Sequence, residues 1–363
     1  MKTKKDTKKV SPFERAEAKL REAALKAAPG TALGSEVALA KDCDVSRMTA
    51  RKAVDALVAE GLVERRAGIG LFVRDASAVR RRVVFLAGNL LWEPAIRSGS
   101  SARRVVAEAG MDFELRDAHG DMDSFISELE ALPGSGAVGA VVVSPHGERA
   151  DAALAELAET GFPAVVVDQL FGDDSLAGVS SDNASGGAKA AECLASLGHA
   201  RVAFIGDLEA DTVKDRWEGF RGECAARGLP PPLKYDISGA SRFADWSEGV
   251  AAAVERIVAM PRRPTAVFCS CDAVARLAMR AFAAKGVKVP EDVSLVGFDD
   301  DPIAEWTSPA LTTIRQDFAA MGETAAKTLL ARLADPAAPV ASQALPVALV
   351  VRESAVAAKE TIK

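Results

Sequence analysis

With 363 residues, 49% hydrophobic and 26% charged, the chain is too long for one hydrophobic core and has the balance of folded domains. Its longest apolar runs, such as Ala137–Ser144, fall far short of the roughly 20 residues that a bilayer needs. Its basic start, MKTKKDTKKVSPFER, leads into no apolar stretch, so neither a membrane span nor a secretory leader is expected. Five cysteines (Cys43, Cys193, Cys224, Cys269, Cys271) and three scattered histidines (His119, His146, His199) suit neither a disulfide framework nor a zinc site. The expectation is a cytoplasmic protein with no metal and no cofactor.

The charge is uneven. Residues 1–75 hold 16 Lys and Arg against 11 Asp and Glu, and the remainder 29 against 40. A basic head on an acidic body fits a module that meets nucleic acid, joined to one that does not, although five lysines of a basic tail (1–10) contribute much of the excess. Pro12–Ala28 reads as an amphipathic helix with Phe13, Ala16, Leu20 and Ala24 on one stripe, stopped by Pro29-Gly30. Ser35 reads as the cap of a short helix through Ala40, and Cys43-Asp44-Val45 as a turn. Ser46 reads as the cap of a second helix, MTARKAVDALVAE, with Ala50, Ala53, Leu57 and Val58 inward and Gly61 at its end. LVERRAGIGLFVR then reads as a hairpin.

That order is a winged helix-turn-helix over 11–75. Ser46, Arg47, Thr49 and Arg51 fall at the end of the second helix that enters a major groove, where Arg reads guanine and hydroxyls suit phosphate. Arg65 and Arg66 precede a wing whose Gly68 and Gly70 would let backbone approach DNA. The stretch SEVALAKDCDVSRMTARKAVDALVAEGLVERRAGIGLFV resembles the GntR-type DNA-binding domain. That family usually has Arg after the Ser-Glu of the short helix, where Val37 stands here. A three-helix domain that binds protein is the alternative.

Residues 76–82 read as a linker, and 83–358 as a domain of alternating strands and helices. VVFLAG, MDFELRDA, VGAVVVSP, PAVVVDQ, ARVAFIG, TAVFCS and VSLVGFD read as strands. Between and after them, helices are expected at Ala95–Gly110, Ser124–Leu132, Ala150–Gly161, Gly186–Leu197, Lys214–Arg227, Trp246–Met260 and Ala273–Lys285. The expected fold is multidomain: a small α+β winged helix-turn-helix followed by a two-lobed α/β domain with parallel, Rossmann-like sheets. Lobe 1 is placed at 83–180 and 312–341, lobe 2 at 181–311 and 342–358. The run Gly134-Ser135-Gly136-Ala137-Val138-Gly139 matches G-x-G-x-x-G, but it follows a helix and opens a strand, the reverse of a dinucleotide fingerprint.

Ligands in open α/β sheets bind beyond the carboxyl ends of strands. Asp168 ends VVVD, Asp272 follows VFCSC, Asp299 ends LVGFD, Arg216 opens the helix after FIGDLEAD, and Asn89 and Trp92 follow VVFLAG. Carboxylates and an Arg suit sugar hydroxyls, and an indole suits the apolar face of a sugar ring. The segments SSDNASGGAKAAECLASLGHARVAFIGD, DRWEGFRG, PTAVFCSCDAVARLAM, VPEDVSLVGFDD and SPALTTIRQDFAAMG resemble the effector domain of LacI/GalR-type regulators, itself similar to periplasmic sugar-binding proteins. The resemblance implies that Arg216, Asp299 and Gln316 contact the ligand, with Asp168 and the Cys271-Asp272 pair at further cleft positions; Trp92 stands in for the aromatics usual in the first loop. A GntR-type module ahead of such a domain resembles the arabinose-responsive class of repressors. The expected function is a ligand-responsive regulator, a homodimeric repressor that binds operator DNA and a sugar-like effector. The alternative is a sugar sensor that does not regulate DNA directly. An enzyme is not expected, because no nucleophile–base pair stands in context.

Overall fold

The computed structural model describes residues 11–59, 61–66, 68–74, 81–171, 176–238, 246–337 and 342–359; the expected basic tail and most of the expected linker lie outside these. The chain divides into two compact units, 1–81 and 82–363.

The smaller unit runs α1 (Pro12–Lys26), β1 (Ala32–Gly34), α2 (Glu36–Cys43), α3 (Arg47–Ala59), β2 (Val63–Arg66) and β3 (Gly70–Val73). Ser11 starts α1 with a capping box. Its hydroxyl accepts from the Glu14 amide at 3.1 Å, and its amide donates to the Glu14 carboxylate at 2.7 Å. Ser35 caps α2, and Asp44 ends it in the left-handed region, which Asp tolerates. Leu20, Leu39, Ala50, Val54, Leu57, Val63 and Leu71 form one small core. Val54 joins the expected inward residues as fully buried, because the inward stripe of α3 runs 50, 53, 54, 57 at helical period, and Val58 is half-buried against the same core. The hairpin β2–β3 gains a third strand, β1, that periodicity alone could not reveal in three residues.

The larger unit holds two six-stranded sheets. The first, ordered β14-β8-β7-β6-β4-β5, is parallel throughout and uses β4 (Arg82–Ala87), β5 (Asp112–Asp117), β6 (Gly139–Val143), β7 (Ala164–Val167), β8 (Ala177–Ser181) and β14 (Gln343–Leu345). On one face α4 (Glu93–Glu108) packs with α11 (Phe318–Ala334); on the other lie α5 (Met122–Ala131) and α6 (Glu148–Glu159). The second sheet, ordered β10-β9-β11-β12-β13-β15, uses β9 (Val202–Gly206), β10 (Leu233–Asp236), β11 (Ala266–Cys269), β12 (Ser294–Asp299), β13 (Thr312–Arg315) and an antiparallel β15 (Ala348–Val350). Helices α7 (Asn183–Ser196) and α8 (Asp211–Ala226) cover one face, α9 (Ser247–Val258) and α10 (Asp272–Ala284) the other. The all-buried runs of β6, β7, β9 and β11, and of β4 after Arg82, are what a parallel sheet covered on both faces requires.

The chain crosses between the lobes three times: after β8, after β13 and after β14. The expected lobe limits are corrected here. β13 belongs to the second lobe because it pairs with β12, and β14 to the first because it pairs with β8. Apolar patterning marks a strand but not the sheet it joins. The glycine run 134–139 leads from α5 into β6 and opens no helix, and Gly139 is needed where a Cβ would meet Leu329 of α11 at 2.8 Å and the Pro163 carbonyl at 2.9 Å.

Candidate functional site

In the smaller unit, Ser46 sits ahead of α3 and its hydroxyl accepts from the Thr49 amide at 3.1 Å, with the two hydroxyls 2.8 Å apart. Of the two expected phosphate hydroxyls, that of Ser46 therefore already caps the helix and that of Thr49 bonds to it. Arg47 and Arg51 are exposed on the first turns of α3 and have no ion-pair partner among the described residues. Arg65 differs: it donates to Glu36 at 2.9 Å and to Asp55 at 2.6 Å, tying β2 to α2 and α3. Arg66 donates to Glu64 at 2.8 Å and lies 4.3 Å over the Phe72 ring. Gly68 has a φ of 73° and open space around it, whereas Gly70 answers a packing need, since a Cβ there would meet the Gly34 carbonyl at 2.6 Å.

In the larger unit a cleft of about 970 Å³ opens between the two lobes, walled by the ends of β4, β6 and β7 on one side and of β9, β11 and β12 on the other. Arg216 is its centre. The side chain is only 5% exposed. Its Nε donates to Asn183 Oδ1 at 2.8 Å, its Nη1 donates to the Ser270 carbonyl at 2.7 Å, and its guanidinium lies 3.8 Å over the Phe298 ring. Nη1 is also 3.7 Å from Asp299 Oδ1. The helices that supply these groups must touch. A Cβ at Gly219 of α8 would strike the Ala184 carbonyl of α7, and one at Gly187 would strike the Arg216 carbonyl. Glycine at both positions thus brings Arg216 within reach of Asn183 at the start of α7.

The carboxylates sit at strand ends in uncommon backbone: φ is 65° at Asp168, 112° at Asp299 and 54° at Asp300. Such conformations, worth about 1–3 kcal/mol of strain each, persist where the surroundings hold them. Burial pushes Asp168 up to about 6, against the opposing pull of Arg216. Burial likewise pushes Asp299 up to about 7, again against Arg216, with Asp168 adding to the rise. Asp301 is pushed to about 7 by burial and by Asp299. Asp168 Oδ1, Asp301 Oδ1 and Gln316 Oε1 are buried without a hydrogen-bond partner. Buried polar atoms without partners are uncommon in folded proteins, and here Asp168 and Asp301 bring two of them to the cleft wall while Gln316, bonded to Asp299, brings a third just behind it.

Of the six residues expected in the cleft, Trp92, Asp168, Arg216 and Asp299 line it. Trp92 lies over Gly88, where a Cβ would approach its ring to 3.1 Å. Asp272 and Gln316 are not on the wall. Asp272 is fully buried: Oδ1 accepts from the Thr313 hydroxyl at 2.6 Å and Oδ2 from the Asp301 amide at 2.8 Å, in space left by the missing Cβ of Gly297. It holds the loop after β12 rather than facing the cleft; its neighbour Cys271 lines the wall instead. Gln316 is 1% exposed and its Nε2 donates to Asp299 Oδ1 at 2.7 Å, which fixes that carboxylate from behind. Sequence reasoning missed Asn183, because β8, the strand before it, went unrecognised. It also missed Asp301 and His146, which follow the ends of β12 and β6 and were open to the same strand-end rule. Burial, then the Arg216 cation, holds His146 below the ordinary imidazole range, so it enters the wall neutral.

Residues 12–73 match the bacterial regulatory proteins of the gntR family, and residues 191–355 the periplasmic binding protein-like domain. The chain thus joins a GntR-type helix-turn-helix domain to a periplasmic-binding-protein-like domain of the kind found in LacI-type regulators. It is 32% identical to the probable HTH-type transcriptional repressor ExuR of Bacillus subtilis (strain 168), over 49% of this chain and 53% of that protein. To the ribose operon repressor of Escherichia coli (strain K12) it is 29% identical, over 64% of this chain and 69% of the repressor. The chain spans little more than half the length of the first of these relatives. A crystal structure of a LacI family transcriptional regulator from Enterococcus faecalis V583 with bound ribose superposes with a TM-score of 0.66 at 26% identity, covering 77% of this chain and all of that one. Each of these proteins is named as a repressor or a transcriptional regulator. No helix among the described residues is long and apolar enough to cross a membrane.

Proposed function

We propose that this chain is a cytoplasmic transcription repressor that binds operator DNA as a homodimer and is controlled by a sugar-like effector held between its two lobes. The observation that carries this reading is the presence, in one chain, of two unlike sites. One is a helix end that presents Arg47 and Arg51 unpartnered; the other is a cleft in which Arg216 is locked beside carboxyl oxygens that lack partners. Arg51 reads base edges, Arg47 and the wing backbone at Gly68 meet phosphate, and Arg65 holds the domain together. In the cleft, Arg216 and Asp299 grip hydroxyls and Trp92 covers a ring face. The likeness to a ribose operon repressor, and the ribose bound in the superposable structure, support an effector of this kind.

A ligand that touches both lobes binds one lobe arrangement better than the other and so shifts their populations. A coupling of about 1–3 kcal/mol would change DNA affinity roughly 5- to 150-fold. The test is DNA titration by fluorescence anisotropy with and without effector, on the natural chain and on Asp299→Ala. The variant is expected to keep the DNA affinity of the effector-free protein and to lose the response. An unchanged effector response in Asp299→Ala refutes the site, and tight effector binding that leaves DNA affinity unaltered refutes the coupling.

A further inference from the structure

The charge of the cleft narrows its ligand further than the fold does. Eight carboxylates line the wall against three guanidiniums, and one of the three, Arg149, is paired to Asp123 at 2.5 Å. At the centre, Asp168 reaches in from the first lobe and Asp299 and Asp301 from the second, with Arg216 the one buried cation on the wall among the described residues. Arg216 spends two of its donors on Asn183 and Ser270. Glu93 and Arg276 face Asp301 with opposite signs, and Arg97 stands behind the wall against Phe318. A neutral polyol would satisfy the unpartnered oxygens of Asp168 and Asp301 as hydrogen-bond acceptors but leave the wall's surplus of carboxyl groups over guanidiniums uncompensated. An anion would add to it. A protonated amine does both jobs at once, donating to carboxylate oxygens and compensating their charge in a partly desolvated cleft.

We propose that the effector is a polyol carrying a protonated amine, of which amino sugars are the simplest class: Arg216 and Asp299 hold its hydroxyls, and Asp168 and Asp301 receive its ammonium. Sugar acids and sugar phosphates are excluded. The inference rests on the cleft being the effector site. It is tested by isothermal titration of the full chain with D-glucosamine and D-galactosamine, each beside its neutral parent, its N-acetyl form and the matching uronate. At least one amino sugar is expected to bind about tenfold or more tightly than its parent and its N-acetyl form, and the uronates to give no binding. Asp301→Asn and Asp168→Asn, isosteric changes that remove a carboxylate charge at groups without side-chain partners on Oδ1, are expected to bring the ratio of amine to parent affinity down toward one. A neutral parent that binds as tightly as its amine, any uronate that binds, or failure of both amino sugars to bind overturns the proposal. Preferential binding of a neutral sugar that also alters DNA affinity would overturn the amine while leaving the regulator intact. Binding of none of these compounds, with DNA affinity unmoved by any, would count against both.

Discussion

Arg47 and Arg51 stand in water at the end of a helix, on a domain whose core is a handful of small apolar side chains, while Arg216 is sunk beneath a cleft with a side-chain amide, a carbonyl and an aromatic ring arranged around it. The first two are free to fit a partner that brings its own dense charge and tolerates approach from several directions. A DNA phosphate or a guanine edge supplies most of the geometry. On the proposed function the third selects a small molecule, for which the protein would supply the geometry beforehand and tolerate buried, partnerless oxygens. One residue type thus serves recognition in two ways, and the difference lies in who is ordered before binding.

The sharpest way to break this contrast is to delete each arginine and measure folding. Arg216→Ala strands Asn183 Oδ1 and leaves Asp299 without its cation. It is expected to lower unfolding free energy by about 2–4 kcal/mol in urea titrations and to abolish effector binding. Arg51→Ala is expected to stay within about 0.5 kcal/mol of the natural chain. Equal stabilities would show that Arg216 is no more structural than a surface charge. Gly219→Ala attacks the same site without touching a charged group. The added methyl meets the Ala184 carbonyl and must push α8 from α7. A loss of about 1–3 kcal/mol in stability is expected, together with weakened effector binding, because Arg216 then loses its reach to Asn183. Gly222→Ala, on the same helix with open space around it, is the control and should be neutral or slightly stabilising.

The two units were also unequally legible in the sequence. The winged helix declared itself, since caps at Ser35 and Ser46 and the stripe of α3 are local signals, and only the three-residue β1 escaped. In the larger unit the buried strands were readable as apolar runs, but β8, β10, β13, β14 and β15, short or mixed in composition, were not. The strand-end rule found Asp168, Arg216 and Asp299, because a parallel sheet delivers every loop after a strand to one edge. It failed for Asp272, since the rule says where a residue emerges and not which way its side chain turns. That turn is decided by Gly297 on the neighbouring strand and by Thr313 on the next, both distant in sequence. It could not separate Arg51 from Arg65 either, because the carboxylates that occupy Arg65 come from α2 and α3, 29 and 10 residues away.

The partly desolvated carboxylates give the cleft a pH dependence that the DNA face should lack. Asp168, Asp299 and Asp301 titrate near 6 to 7 in the folded protein, above their ordinary values, so the folded state holds more protons than the unfolded state between about pH 4 and 7. Their contribution to stability is therefore largest at the acid end and lost as pH rises through 7. Effector binding runs the other way. An ammonium or a donating hydroxyl favours the ionised carboxylates, so binding releases protons and tightens as pH rises from about 5.5 to about 7. The groups facing them are Arg216, Arg97, Arg276, Glu93, Gln316 and His146, the last held below the ordinary imidazole range by burial and by Arg216. Calorimetry in two buffers of different ionisation enthalpy measures the proton count directly. Uptake instead of release, or an affinity flat with pH, would mean that these carboxylates do not meet the ligand.

The smallest effects expected are in the winged helix, where Arg65 and Arg51 can be set against each other. Arg51→Ala removes a side chain with no partner in the free protein, so its loss should appear only when DNA is present. Loss of a base contact costs about 1–3 kcal/mol on the selected operator and relaxes preference at one base pair, while loss of a phosphate contact lowers the slope of log K against log salt by about 0.9. Arg65→Ala removes the link among β2, α2 and α3. Its ion pairs are half-exposed, so their loss is worth no more than about 1 kcal/mol, and the change should appear in the folding of the small unit with the salt slope unaltered. Salt titrations of DNA binding and urea unfolding on both variants separate the two roles. A salt slope that falls in Arg65→Ala by as much as one phosphate contact would mean that DNA draws this arginine away from Glu36 and Asp55. The free protein would then hold a third DNA-facing cation in reserve, and the division between arginines that wait in solvent and arginines that are already engaged would fail within the smaller unit itself.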